Sequence, residues 1–375
     1  QAIALVQLRA ATPSSAGWRG TAMGAGLGSL SVEVHKTVLE WLVVPAPTPC
    51  RWKTASVDPW RALAATGRGA SSRAAAALCS ATTHGDAALR ATIVGLLGRV
   101  GEEGDAPTVA TLVTSMRDDV EPAVRVAAAS SLARVAAQGD DAAVVALTSK
   151  LNDKDEDVVL AAIHALASLA SPGADSAFAA LATCLEAESW QTRKAAVGAI
   201  CAVGEPGQPD SIDRLSAALE DKNRWVRIAA IEAIAELSWR GDLRALAKVS
   251  KCLADEVWCV RAAALAAIGA LAERGDQSAI AAVAALLEDS YPSLRIAALD
   301  ALVEIAPRGH REATSLVLAR LHGDCDADVR AAATEVLVRI AETGDENVFA
   351  ALARQMREDE DEEVRHAAEM AASRI

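Results

Sequence analysis

The sequence predicts an all-α fold, an α–α superhelix of about nine helical hairpins, and three observations carry that prediction. One arginine returns at Arg90, Arg125, Arg193, Arg227, Arg261, Arg295, Arg330 and Arg365, with Val159 on the single vacant beat, at intervals of 34 or 35 residues. The text behind the marker repeats too, with two alanines standing two and three residues after it in eight of the nine units. Aromatics make up only 3% of the 375 residues, against 52% hydrophobic. A fixed period in this range marks stacked units that touch only their neighbours, not one globular core.

Residues 1–69 stand outside the repeat. They carry Gly24, Gly26 and Gly28, the run Pro45-Ala46-Pro47-Thr48-Pro49, and four of the eight tryptophans. Few acids and many Ser, Gly, Ala and Arg suit an organelle transit segment, or equally a disordered tail. Gly24-Ala25-Gly26-Leu27-Gly28 has neither the spacing nor the preceding strand of a phosphate loop. Met23 is the first methionine, so residues 1–22 read as upstream translation or the chain as a fragment.

Residues 70–375 form the array, and each unit reads as two helices. In residues 210–241, Asp210 is placed to cap the first helix. Ile212, Leu215 and Leu219 then follow at three- and four-residue spacing, which lays one apolar stripe along it. Asp221-Lys222-Asn223 makes a polar turn. The second helix carries Val226, Ala229, Ala230, Ile234 and Leu237. Gly241 suits the left-handed position that ends a helix, and Asp242 caps the next unit. Gly-Asp recurs at 104–105, 139–140, 275–276 and 344–345.

Charge and cysteines narrow the partners. The net charge is −13. Residues 1–75 hold eight Lys/Arg against three Asp/Glu, leaving 29 against 47 for the rest. Phosphate-rich ligands need basic surfaces, so no nucleic-acid partner is expected. An acidic array suits one or more proteins as partners, including one with a basic segment. The seven cysteines show no CxxC and an odd count, which fits reduced thiols in an intracellular, cytoplasmic setting. A plastid or other organelle follows if residues 1–69 are a transit segment. No stretch reaches the length of a membrane span.

Period alone does not choose a family. Tetratricopeptide repeats want regular Trp, Tyr, Phe and Pro, and ankyrin repeats want Thr-Pro-Leu-His. Here an Asp, five residues, an Arg and then the alanine pair recur as Asp119/Arg125, Asp221/Arg227, Asp255/Arg261, Asp289/Arg295, Asp324/Arg330 and Asp359/Arg365. That pattern resembles the HEAT-repeat family, in short units similar to those of phycobilisome-lyase relatives. The resemblance implies that these Asp and Arg side chains bond between neighbouring units as a structural ladder. It also implies that second helices line a concave face. The ladder has gaps: Val159 replaces an arginine and Ala187 an aspartate. With the turns Ser171-Pro172-Gly173 and Glu205-Pro206-Gly207-Gln208-Pro209 nearby, a change of curvature or a joint is expected near residues 159–210.

Two constellations are candidate partner-binding surfaces. Glu232, Glu236, Asp300, Glu304 and Glu335 stand five or nine residues after a marker, as outward acids of the second helices. They read as a docking stripe for a basic helix or tail, or as an ordinary solvated face. Trp190, Trp225, Trp258 and Tyr291 fall in four successive turns between helices. They read as interface anchors along one edge, or as rings that each cover their own turn.

No metal, cofactor or catalytic set is expected. None of the six histidines precedes a Glu, so the iron-binding dipeptides of HEAT-like deoxyhypusine hydroxylases are missing. GxSxG, HExxH and Walker sequences are missing too. The expected function is a noncatalytic protein-interaction scaffold or adaptor. The alternative, implied by the resemblance alone, is a phycobilin-lyase-like or lyase-derived protein that handles a chromophore. The alanine pairs are expected to let helices approach closely. Replacing Ala229 or Ala230 by Leu should therefore overpack the contact and cost about 1–3 kcal/mol, read as a lowered thermal midpoint.

Overall fold

The computed structural model describes residues 68–83 and 85–374. The expectations for residues 1–67, Cys50 among them, fall outside the described residues. Within the described residues there are eighteen α-helices and no strand, arranged as nine hairpins. The first helices are α1 (Arg68–Ala81), α3 (Ala106–Asp118), α5 (Asp141–Ser149), α7 (Asp175–Thr183), α9 (Pro209–Ser216), α11 (Leu243–Lys251), α13 (Gln277–Ala284), α15 (Arg311–Gly323) and α17 (Glu346–Glu358). The second helices are α2 (Ala87–Val100), α4 (Pro122–Val135), α6 (Glu156–Leu169), α8 (Trp190–Val203), α10 (Arg224–Leu237), α12 (Trp258–Leu271), α14 (Pro292–Ile305), α16 (Ala327–Ile340) and α18 (Glu362–Ala372).

The buried positions follow helical periodicity. In α10 they are Val226, Arg227, Ala230, Ile231, Ala233, Ile234 and Leu237, one stripe turned inward. Side-chain caps hold many starts: Asp140, Asp242, Asp276 and Asp345 accept from the first-turn N–H groups of α5, α11, α13 and α17. Asp210 does not cap α9. Pro209 takes the first helical position, where its fixed φ fits and its missing N–H goes unmissed. The cap position falls to Gln208, and Asp210 lies in the first turn.

The recurrent glycine serves a different end from the one its spacing suggested. Helix α10 ends at Leu237, well before Gly241. Gly241 has φ +87° and donates its N–H to the Leu271 carbonyl of the next unit at 2.7 Å. Gly104, Gly139, Gly173, Gly207, Gly275 and Gly309 make the equivalent bond, to Val135, Leu169, Val203, Leu237, Ile305 and Ile340. All have positive φ, a region open to glycine at little cost. The Pro-Gly turns at 172–173 and 206–207, which stand apart in sequence, therefore share the common joint geometry.

On the opposite edge run the side-chain rungs. Arg90, Arg125, Arg193, Arg227, Arg261, Arg295 and Arg330 reach Asp119, Asp153, Asp221, Asp255, Asp289, Asp324 and Asp359 at 2.5–3.0 Å. Each arginine thus crosses to the aspartate of the following unit. Within its own unit it binds a turn carbonyl: Arg295 donates to Asp289 O at 2.8 Å and Arg330 to Asp324 O at 2.9 Å. The aspartate does two jobs as well. Asp324 accepts from Asp326 N at 3.0 Å and Asp359 from Asp361 N at 2.9 Å, which shapes the start of the second helix. The guanidinium hydrogen bonds of Arg90 and Arg330 hold the Asp119 and Asp359 carboxyls below the usual carboxylate range.

This geometry turns two sequence gaps into one. A donor in unit three faces an acceptor in unit four, so Val159 and Ala187 are the two halves of a single missing rung. Val159 is buried. Asp153, overlooked because no arginine follows it at the usual distance, takes Arg125 at 2.7 Å and Lys150 at 3.6 Å.

The choice between 34 and 35 residues also has a structural cause. Where the unit is 35 long, α3, α15 and α17 run 13 residues unbroken. In four of the five 34-residue units the first helix (α7, α9, α11 or α13) ends in a tighter 3₁₀ turn, at Cys184–Glu186, Ala217–Glu220, Cys252–Ala254 or Ala285–Glu288, while α5 stops at Ser149 without one. A 3₁₀ turn closes with three residues instead of 3.6, which absorbs the deletion.

Consecutive second helices lie against one another along the whole array, whereas consecutive first helices touch sparsely. The stack is therefore a fan, narrow on the second-helix side, and that side is concave. Between α2 and α4 the approach is close: a Cβ on Gly98 would lie 2.7 Å from Cβ of Ser131. Ser131 Oγ donates to the Val94 carbonyl there at 2.9 Å.

Removing half a rung should hurt more than the sequence pattern suggests. Asp324→Ala would leave the Arg295 guanidinium, 8% exposed, without its carboxylate. The expected loss is about 3 kcal/mol, measured as a shift in the denaturant midpoint.

Candidate protein-binding surface

The turns between first and second helices lie along one edge of the fan, and the four predicted rings stand there in units four to seven. Trp190 and Trp258 are the first residues of α8 and α12, Trp225 is the second of α10, and Tyr291 caps α14 just before Pro292. Trp225, Trp258 and Tyr291 remain 43%, 44% and 48% exposed. Trp190 differs: it is half-buried and packs against the core.

The rings meet across unit boundaries. Trp258 and Tyr291 stack with centroids 6.1 Å apart. The Arg224 guanidinium lies 5.0 Å from the Trp225 centroid and Lys194 Nζ of the preceding unit 6.0 Å. Arg261, whose fork holds Asp289, lies 5.9 Å from the Tyr291 centroid. Tyr291 therefore shelters a rung with one face and leaves nearly half of itself to solvent. The same units carry the shortened first helices, so one deletion per unit coincides with each ring.

The acidic residues stand on the concave face, all exposed: Glu232 and Glu236 on α10, Asp300 and Glu304 on α14, Glu335 on α16. They are not one uniform stripe. Arg339 pairs with Glu304 at 3.2 Å, and Glu236 accepts from the Cys201 thiol at 3.4 Å. Arg339 sits nine residues after its marker, the position held by Glu236 and Glu304, so this neutralisation was visible in the repeat alignment. Glu232, Asp300 and Glu335 form no ion pair among the described residues. Units four and six present only Gly198 and Ala202, or Ala266 and Ala270, between the charged units, all exposed.

Partial desolvation on the inner curve pushes the Asp300 carboxyl up, with Glu335 and Glu304 adding to it and Arg339 opposing. Burial, reinforced by Glu236, pushes the Cys201 thiol up to about 12, and burial takes Cys252 to about 11. Thiols held so far above neutrality are poor nucleophiles.

Two open grooves run between second helices. One, between α4 and α6, is lined by Ser130, Arg134, Asp155, Asp157 and His164. The other, between α16 and α18, is lined by Glu335, Val338, His366, Met370 and Arg374. Among the described residues no group of His, Cys, Asp and Glu is arranged to hold a metal ion, and no helix is long and apolar enough to cross a membrane.

Comparison with known proteins agrees with this architecture. Residues 109–186, 178–269, 260–338 and 305–373 match HEAT repeats. The chain belongs to the HEAT-repeat family. No curated protein matches it. Among solved structures it is similar to an engineered protein, at 20% identity over 84% of this chain and 93% of that one, with a TM-score of 0.45. It is similar also to YibA of Escherichia coli, at 20% identity over 71% and 92%, TM-score 0.49. A third is the complex of CpcE and CpcF of phycocyanin lyase from Nostoc sp., at 24% identity over 61% and 87%, TM-score 0.37. Family membership rests on the repeat match and not on these likenesses.

Asp300 supplies a test of the concave face. Its raised folded-state pKa means that ionisation costs stability, and the cost appears as pH rises above the unfolded carboxylate range through the folded value. Asp300→Asn should therefore raise the thermal midpoint at neutral pH. The gain should disappear in acid, where wild-type Asp300 is already protonated.

Proposed function

We propose that the chain is a noncatalytic scaffold or adaptor that holds one or more protein partners. The partner rests on the aromatic edge and on the concave face of units four to eight. One observation carries the reading: three successive turns, of units five to seven, leave Trp225, Trp258 and Tyr291 nearly half exposed in a row, in an array whose units five, seven and eight carry Glu232, Asp300 and Glu335. Trp and Tyr are the side chains that most often dominate binding energy when a partner buries them.

The charge pattern favours a partner with a basic segment. Glu232, Asp300 and Glu335 form no ion pair among the described residues. Partial burial and the neighbouring Glu335 and Glu304 raise the Asp300 pKa, and a partner's lysine or arginine placed beside this group would favour its charged form. The stability spent on keeping Asp300 charged then has a use in recognition.

Affinity capture from native lysate tests the proposal, comparing wild type with the variant carrying Trp190→Ala, Trp225→Ala and Trp258→Ala. Specific proteins should be retained by wild type and lost from the variant, while the thermal midpoint of Trp225→Ala alone stays near wild type. Retention should weaken as salt rises, because exposed charges more than about 10 Å apart are screened at 0.1 M ionic strength. A large fall in stability on Trp225→Ala with capture intact would assign the rings to turn packing. Bilin absorbance co-purifying with the protein would support chromophore handling instead.

A further inference from the structure

We propose that the stack bends at the junction of the third and fourth units, between α6 and α8. Seven of the eight junctions carry an arginine–aspartate rung. This one has Val159 and Ala187 in the two places. Both halves are changed together, so no buried charge is left stranded, and apolar replacement of an ion pair leaves stability largely intact. What disappears is direction. A guanidinium fork on a carboxylate fixes distance and plane at once. A valine beside an alanine tolerates sliding and tilting.

The opposite edge of the same junction is intact. Gly173 donates to the Val203 carbonyl at 2.9 Å, with the geometry shared by six other joints. The motion is therefore a rotation about the glycine edge that opens and closes the rung edge. Among the described residues, one side-chain hydrogen bond spans the junction there, from Ser189 Oγ to Glu156. It is exposed, so water replaces it at little cost. Arg193 still donates to the carbonyls of Ala187 and Glu188 at 2.8 Å, so the turn of unit four stays folded as the junction moves.

The position of the bend has a consequence for surface. Units one to three lie on one side. The rings of units four to seven and the acids of units five to eight lie on the other. Trp190, the ring nearest the junction, is the half-buried one. Bending changes its cover and alters the curvature with which the concave face meets a ligand. This mobility does not depend on what the partner is.

Single-molecule energy transfer tests the bend, with dyes on azido-amino acids placed at exposed positions in first helices or in the 3₁₀ turn that ends one. The pair Ala110 and Ala217 spans the rungless junction; the pair Ala217 and Ser315 spans only junctions with rungs. The distance distribution should be broader for the first pair. Val159→Arg combined with Ala187→Asp builds the missing rung and should narrow the first pair to the width of the second. Arg227→Val combined with Asp255→Ala deletes a rung in the same manner and should broaden the second pair. Equal widths in the wild type would overturn the proposal. So would a second pair left unchanged by the rung deletion, a result that holds even if the rung-building variant does not fold.

Discussion

The crossing of each arginine into the next unit is the constraint on which the rest of the structure depends. One guanidinium binds its own turn carbonyl and the next unit's carboxylate, and that carboxylate sets the first turn of a second helix. Turn shape, helix start and unit spacing are thereby coupled through a single side-chain pair. The glycine joint on the far edge supplies the second point of attachment. Two points fix the angle between neighbours in a way that apolar packing alone does not, because dispersion contacts carry little direction.

Positions that serve this coupling recur, and positions that do not are free to vary. That separation organises the molecule. The inward stripes of Val, Leu and Ile and the rungs repeat with the period. The rings at Trp225, Trp258 and Tyr291 and the acids at Glu232, Asp300 and Glu335 occupy equivalent positions in only some of the units. They stand on turns and outward faces, and the three rings remain nearly half exposed. A repeat array thus offers a surface whose composition is nearly independent of its fold.

Much of this was legible in the sequence. The marker arginine, the alanine pair and the 34-to-35 spacing dictated hairpins and their number, because a stacked unit must repeat its contacts. The direction of the rungs was not legible: the resemblance implied bonds between neighbouring units, and only the stacking offset decides whether an arginine reaches the unit after it or the unit before. For that reason Asp153 was passed over and Val159 and Ala187 looked like separate faults. Gly241 was misjudged for a similar cause. Its φ was foreseeable from residue type, but its partner, Leu271, lies in another unit. Asp210 was assigned a cap that Pro209 had displaced. For the rungs and for Gly241 the missing information was which neighbour the group faced; for Asp210 it was local, the proline one residue earlier.

The rung also bears on how such an array grows. Donor and acceptor belong to different units, so a standard unit copied and inserted at a rung-bearing junction meets a donor on one side and an acceptor on the other. Duplication or loss of such units leaves every charge matched. The third and fourth units are the exception. A standard unit inserted between them would set its aspartate against Val159 and its arginine against Ala187, with both charges stranded in partly buried sites. These two units have become a matched pair that gene duplication cannot part without penalty, and the array can lengthen on either side of them but not between.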